Sequence, residues 1–210
     1  MIAERSDRAV IGHFAERPTW VAPGRAIPHS AALRREEAAM TCDPVAFKKG
    51  MRHLAASVTL ITTRHAGERG GLTATAVCSV SAEPPQLLVC VNRSASAHPL
   101  IVASRKFCVN VLAPQHRKIA ERFAGMDGVE GDARFEGLGE WCSMIGDVPT
   151  LLGCPVTFAC ETVNTMVAGT HTIVVGKIMD VALDPAAVAL LYADATFVPA
   201  DVLRGVAPPS

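Results

Sequence analysis

The chain has 210 residues, of which half are hydrophobic and 19% are charged, as expected of one compact globular domain. The mean hydropathy of +0.27 excludes intrinsic disorder for most of the chain. Twenty basic residues offset twenty acidic ones, so no net charge favours nucleic acid or anionic lipid as a partner. No apolar run reaches the roughly 18 residues that a membrane span needs, and no signal peptide is recognisable. We therefore expect a cytoplasmic protein.

The seven cysteines show neither the pairs nor the clusters that a zinc site or a disulfide framework requires. No CxxC motif occurs, and Cys78, Cys90 and Cys108 lie inside apolar runs typical of strands. This spacing predicts buried, reduced thiols and no metal site.

Residues 1–40 differ from the rest of the chain in carrying mixed charges and three prolines without sustained periodicity. We expect them to form a loose or draped N-terminal arm, followed by a folded domain at 41–210. Asp43 and Pro44 are a favoured pair at a helix N-terminus. The apolar residues that follow predict a helix with one apolar face, made of Val45, Phe47, Met51, Leu54 and Ala55.

The rest of the domain reads mostly as β-strands. Runs 57–64 and 72–81 flank a glycine-containing polar turn and predict a hairpin. Further strands are predicted at 86–92, 106–112, 155–163, 170–183 and 190–198, with short helices at 98–104 and 115–123 and a long loop at 125–147. Six or seven strands with two or three short helices favour a closed antiparallel barrel over a βαβ array.

Common catalytic motifs are missing from the sequence. No GxGxxG follows a strand, no P-loop spacing occurs, and HExxH and GxSxG are absent. Two other stretches are rich in hydroxyl groups. In GLTATAVCSVS (71–81), small residues would let a flat ligand approach the backbone. In NRSASAHP (92–99), serines and an arginine precede a helix, an arrangement that suits a phosphate.

Each stretch also has an ordinary structural explanation. Threonine-rich runs have good β-propensity, and Ser94 or Ser96 could simply cap the helix. Taken together, however, the two stretches predict a site for a phosphorylated planar heterocycle.

The chain resembles the short-chain flavin reductases, the reductase components of two-component flavin-dependent monooxygenases, whose fold is an FMN-binding split barrel. The resemblance runs from Phe47 to Tyr192. It is carried in order by FKKGMRHLAASVTLITT, GLTATAVCSVSAEPPQLLVCVNRSASAHPLI, FCVNVLAPQHRKIAERFAG, DARF, PTLLGCPVTFACE, GTHTIVVGKI and LLY. It implies a mostly β, antiparallel six-stranded split barrel with a few short flanking helices.

The resemblance also implies FMN, with FAD possible, as the flavin, and NADH or NADPH as the hydride donor. It assigns the flavin ring and ribityl chain to Thr73, Ala74, Thr75, Ala76, Val77, Cys78, Ser79 and Asn92. It places Ser94, Ser96 and His98 near the phosphate, and Phe107 close to the flavin. Because Phe107 alternates with Val109 and Val111, core packing explains that residue equally well.

His171 stands on a glycine-flanked strand and is the candidate for positioning the nicotinamide. The family often has Gly-Asp-His at this place, whereas this chain has Gly169-Thr170-His171. No neighbouring acid therefore fixes the imidazole, and a structural histidine is the alternative. Because the two cofactors carry the hydride chemistry, we expect no indispensable acid or base.

A homodimer with flavin near the subunit boundary is implied as well, together with a separate flavin-dependent oxygenase as partner. Two other functions stay open on the residues alone. One is a flavoprotein that reduces another acceptor, such as a corrinoid. The other is a non-catalytic flavin- or haem-binding module, because one fold can host several functions.

Overall fold

Twelve strands and three α-helices make up residues 42–205, the part of the chain that the computed structural model describes. The predicted arm at 1–40 lies outside these residues. The helices are α1 (Pro44–Arg52), α2 (Ala97–Ser104) and α3 (Arg117–Phe123). No helix in the described range is long and apolar enough to cross a membrane.

The first six strands are β1 (Ala56–Ser57), β2 (Thr59–His65), β3 (Glu68–Ala74), β4 (Val77–Ala82), β5 (Pro85–Asn92) and β6 (Lys106–Val111). The last six are β7 (Trp141–Ser143), β8 (Pro149–Leu151), β9 (Val156–Ala168), β10 (His171–Leu183), β11 (Leu190–Ala193) and β12 (Thr196–Pro199).

The main sheet has seven antiparallel strands in the order β3-β2-β6-β9-β10-β5-β4. Its two edge strands, β3 and β4, are consecutive in the chain and are separated only by Thr75 and Ala76. The amide of Cys90 donates to the Ala76 carbonyl at 3.0 Å, so this bend is attached to β5. The edges therefore meet at the bend, and β3 with β4 acts as one bent strand of a six-stranded barrel. The prediction of a mostly β, antiparallel barrel is confirmed.

The predicted hairpin differs from the observed one at both ends. The turn is the two-residue pair Ala66-Gly67, both at positive φ, instead of the whole segment 65–71. Positive φ at both positions gives the twist that two-residue hairpins prefer. The run 72–81, predicted as one strand, is broken because its first part pairs with β2 and its second part pairs with β5.

Two regions contain more structure than the sequence indicates. The predicted strand at 190–198 is the hairpin β11–β12, which turns at Asp194 and Ala195 with positive φ. The predicted loop at 125–147 contains a 3₁₀ turn and strand β7, which pairs with β8. The loop is held by an aromatic cluster of Phe123, Phe135 and Trp141, whose ring centroids lie 4.9 to 6.1 Å apart. These contacts join distant residues, so local periodicity does not reveal them.

The interior of the barrel is filled by side chains. Phe107 and Ile101 are fully buried, the latter from α2, which packs against β2, β3 and β6. Gly176 of β10 leaves room for the Phe107 ring, because a Cβ at that position would lie 2.5 Å from Phe107 Cζ. The absence of a side chain at 176 is therefore required for this packing.

Asn110, on β6, joins four strands inside the barrel wall. Its amide nitrogen donates to the Leu60 carbonyl at 2.9 Å and to Thr62 Oγ1 at 3.1 Å. Its amide oxygen accepts from the Leu151 amide at 3.0 Å and from Thr157 Oγ1 at 3.3 Å. The side chain is fully buried, so each of these bonds satisfies a group that water cannot reach.

The seven cysteines are all free thiols. Burial raises the pKa of the thiols of Cys154 and Cys160 to about 12, which keeps them protonated and unreactive. The prediction of buried thiols is wrong for Cys42, Cys78 and Cys142, which are exposed. Cys78 is exposed because alternate residues of a strand point to opposite faces, and its neighbour Val77 packs on the core.

We predict that Asn110→Ala destabilises the fold by about 2–4 kcal/mol, because it leaves the buried Leu151 amide and Leu60 carbonyl without their partner. The measurement is urea unfolding of the full chain, with Asn164→Ala as control because Asn164 is exposed on β9. A difference of less than about 1 kcal/mol between the two variants would show that water or repacking replaces the network.

Candidate functional site

The two hydroxyl-rich stretches predicted as a site lie on neighbouring strands. The bend at Thr75–Ala76 is hydrogen-bonded to Cys90 of β5, and Asn92 follows two residues later at the end of the same strand. His171 is the cross-strand partner of Asn92 on β10. The fold therefore brings the candidate flavin, phosphate and nicotinamide residues together on β4, β5 and β10.

These strands present a strip of small and apolar side chains on the outer face of the barrel. Leu87, Val89 and Val91 of β5 point into the core, so the alternating residues between and after them face outward. Cross-strand pairing aligns Cys90 with Ile173 and Asn92 with His171 on that same face. We call this surface the outer strip; it comprises Ala76, Cys78, Cys90, Asn92, His171 and Ile173.

The remaining candidates around the bend divide into structural and accessible groups. The Thr73 hydroxyl donates to the Ala120 carbonyl of α3 at 2.7 Å, and the Ala74 carbonyl accepts from Thr59 Oγ1 at 2.6 Å. Val77 packs against the core. Thr75 and Ser79 are exposed and so are free to meet a ligand.

The candidate phosphate end is a tight turn after β5. Both the amide and the hydroxyl of Ser94 donate to Asn92 Oδ1, at 3.0 and 2.9 Å. The Arg93 amide donates to the Thr170 carbonyl at 3.0 Å, which attaches the turn to the β9–β10 connection. Ser96 is exposed and makes no side-chain capping bond with α2, so the capping explanation does not apply to it. Its hydroxyl is more available than that of Ser94.

His98 contributes less to an anion site than the sequence suggests. Its Nε2 lies 2.9 Å from Thr172 Oγ1, and its amide donates to the Ala95 carbonyl. Pro99, the third residue of α2, has no amide hydrogen. The start of this helix therefore offers few free donors, and binding of a phosphate there would depend on Ser96, Ser94 and the Arg93 side chain.

His171 is half-buried at the end of the outer strip. Its Nδ1 lies 2.9 Å from Thr170 Oγ1, so a hydroxyl contacts the imidazole. When Nδ1 accepts from that hydroxyl, Nε2 carries the proton and can donate to a ligand. The Thr170 hydroxyl can therefore fix the orientation of the imidazole, but it adds no negative charge beside it.

Phe107 is not part of this surface. It is fully buried among Val89, Val109, Cys160 and Val174. Its burial agrees with the core-packing explanation. The Phe107 side chain cannot contact a ligand on the outer strip and could affect one only by changing the position of the strands between them.

Sequence reasoning missed the aromatic and basic residues beyond the bend. A cavity of about 450 Å³ is lined by Thr73, Thr75, Arg117, Tyr192 and Phe197, among others. The Tyr192 and Phe197 rings pack edge to face at 5.2 Å, and the Arg117 guanidinium lies 5.3 Å from the Phe197 centroid. Tyr192 is the only tyrosine of the chain. Tyr192 also ends the LLY segment (190–192) that carries the family resemblance, and this is a sequence signal that could have drawn attention to it.

The residues present fit a flavin mononucleotide. The outer strip can take a flat ring system, and the turn at 92–96 offers hydroxyls and a cation to a phosphate. Within residues 42–205, no three His, Cys, Asp or Glu side chains gather so as to hold a metal ion.

Comparison with known proteins identifies the family of the chain and relatives that share its fold. Residues 51–201 match the family model described as flavin reductase like domain. The chain is 40% identical over 159 residues to an FMN reductase (NADH) of Methylorubrum extorquens named RutF 1, and the match covers 76% of this chain and 78% of that protein.

Two solved structures share the fold. The first is BorF, the flavin reductase component of a bacterial two-component tryptophan halogenase, with a TM-score of 0.68 and 26% identity, covering 75% of this chain and 98% of BorF. The second is Streptomyces globisporus NADH:FAD oxidoreductase SgcE6 in complex with NAD and FAD fragments, with a TM-score of 0.68 and 27% identity, covering 74% of this chain and 92% of SgcE6. With a family model that spans most of its length, this chain belongs to the flavin reductase like domain family.

Proposed function

We propose that this protein is an NAD(P)H:flavin oxidoreductase that reduces FMN, or FAD, and supplies the reduced flavin to a separate monooxygenase. The observation that carries the proposal is the outer strip, which ends in Asn92 and His171 beside the serine turn. The relatives named for FMN, FAD, NADH and two-component systems support the same chemistry. When bound, the two cofactors supply a direct hydride transfer from nicotinamide to flavin.

The side chains of this protein are needed for orientation rather than proton transfer. The outer strip would hold the flavin ring flat, and backbone groups of Thr75 and Ala76 would face its polar edge. Ser96, Ser94 and Arg93 would bind the phosphate. The Nε2 of His171 would donate to the carboxamide of the nicotinamide, so that the two rings stack in register.

We further propose a homodimer with the site near the subunit boundary. Apolar surface continues from the outer strip to Met166, which pairs with Ile173 and is 58% exposed. Val80 of β4 is also exposed. Contiguous apolar surface of this kind is typical of a protein interface.

We also propose that residues 1–40 form a separate arm. The seven free thiols support a cytoplasmic location.

The proposed function is tested by mixing the purified full chain with NADH and excess FMN under anaerobic conditions. We expect catalytic bleaching of the visible flavin absorption over many turnovers. Flavin binding without turnover would instead favour a non-catalytic binding module. Faster reduction of a bound corrinoid than of free FMN would favour the flavoprotein that serves another acceptor.

We predict that Ser94→Ala combined with Ser96→Ala weakens FMN binding by at least about tenfold, because a hydrogen bond to a charged group contributes about 1.5–3 kcal/mol. Riboflavin lacks the phosphate, so its affinity should change little. Ser96→Ala alone should account for most of the loss, because the Ser94 hydroxyl already donates to Asn92. Fluorescence titration of both flavins gives the dissociation constants.

The control for the serines is Ser143→Ala, because Ser143 is exposed on β7, outside the candidate site. Equal losses of FMN and riboflavin affinity would place Ser94 and Ser96 away from the phosphate.

We predict that His171→Ala raises the KM for NADH by about three- to tenfold, the equivalent of one hydrogen bond. FMN affinity and the melting temperature should stay close to those of the wild type, because the side chain is half-buried on the outer face. Steady-state kinetics and thermal melts are run beside His65→Ala, an exposed histidine at the end of β2. A lowered melting temperature with an unchanged KM would make His171 a structural residue.

A further inference from the structure

A groove of about 500 Å³ runs between α1 and the hairpin β11–β12. Its walls include Phe47, Lys48, Met51 and Arg52 on one side and Thr75 and Tyr192 on the other. The volume falls within the roughly 300–1,000 Å³ typical of small-molecule sites. This groove adjoins the outer strip at Ala76, and it shares Thr75 and Ala76 with the candidate flavin residues.

The groove has fixed walls. The Asp194 amide, in the turn of β11–β12, donates to the carbonyl of Arg52 at the end of α1 at 2.8 Å. Ala56, just after the helix, pairs with Tyr192 on β11. The helix and the tyrosine are therefore held in position by backbone hydrogen bonds at both sides of the groove.

The charge of the groove is positive. Lys48 and Arg52 are four residues apart on α1 and so lie on one face of the helix. They are the only charged side chains among the described residues that line the groove. Neither forms an ion pair with another described residue, whereas Arg64, Arg69 and Arg117 each contact a carboxylate.

The groove also offers apolar and aromatic surface. Phe47 is 57% exposed, and no residue of α1 is buried. An exposed aromatic ring next to two cations that form no ion pair with any described residue suits a ligand that combines a flat base with phosphates. Bases stack on aromatic faces, and phosphates pair with Lys and Arg.

We propose that this groove binds the ADP moiety of a dinucleotide, with Lys48 and Arg52 on its phosphates and Phe47 against the adenine. The proposal rests on the proposed function, because the groove begins at Thr75 and Ala76, where the flavin and nicotinamide rings would stack. NAD(P)H and FAD both carry this moiety. The experiment below distinguishes binding of one from binding of the other.

The test is the double variant Lys48→Ala/Arg52→Ala in the full chain, assayed with NADH and with reduced nicotinamide mononucleotide (NMNH), which lacks the adenosine phosphate. If the groove binds NADH, the KM for NADH rises by about tenfold, because charge-assisted contacts to the adenosine-side phosphate are lost. The KM for NMNH, which keeps only the nicotinamide-side phosphate, rises by less. If it binds FAD, the KM for FAD rises by a similar factor while those for FMN and NADH are unchanged. Raised ionic strength should reduce either effect, because the charges are exposed.

Lys49→Ala is the matched control, since Lys49 is exposed in the same last turn of α1 but does not line the groove. It removes one positive charge near the helix end and should leave every KM at the wild-type value. Phe47→Ala should raise the KM for the same dinucleotide as the double variant.

Three results would overturn the proposal. One is wild-type KM values for both dinucleotides in the double variant. Another is an equal rise for NADH and NMNH, which would place the cations at the nicotinamide mononucleotide half that the two molecules share. The third is a changed molecular mass with unchanged kinetics, which would make the groove a contact between copies of the chain. The proposed function is judged separately, by turnover of NADH with FMN in the wild-type chain. Absence of that turnover would refute the proposed function, whereas wild-type turnover that the double variant leaves unchanged for both dinucleotides would refute the groove.

Discussion

The rest of the molecule depends on one constraint, that a single stretch of chain forms both edges of the same sheet. Residues 68–82 pair with β2 through their first half and with β5 through their second half. A straight strand cannot do both, so the chain bends at Thr75–Ala76, and the Ala76 carbonyl is tied to Cys90. The bend joins the two edges of the sheet and leaves small residues exposed beside it.

The candidate site residues gather at this bend for the same reason. On one side lies the outer strip with Asn92 and His171, and on the other lie the two cavities that meet at Thr75 and Tyr192. Backbone bonds from Asp194 to Arg52 and from Val58 to Leu190 hold the walls of those cavities. At the bend where the two edges of the sheet meet, several elements can therefore each contribute one or two side chains.

The sequence predicts the barrel well because alternation and turn residues are local signals. The strands and short helices fall close to their predicted places, and the candidate residues around Thr75, Asn92 and His171 share one region. Features set by distant partners escape prediction: the break at the bend, the pairing of β7 with β8, and the position of Tyr192 beside Ala56. Burial of the Phe107 ring likewise depends on Gly176, a residue on another strand.

The filled interior of the barrel has a kinetic consequence. Because Phe107 and Ile101 fill the space inside the sheet, the barrel interior has no room for a flavin, and the candidate site lies on its outer surface. A ligand held this way leaves without any opening of the fold, and its residence time depends on a few surface contacts. Rapid exchange suits a flavin that is carried away after reduction, whereas a permanently held prosthetic group is usually enclosed. The packing of one phenylalanine against one glycine therefore favours treating flavin as a passing substrate.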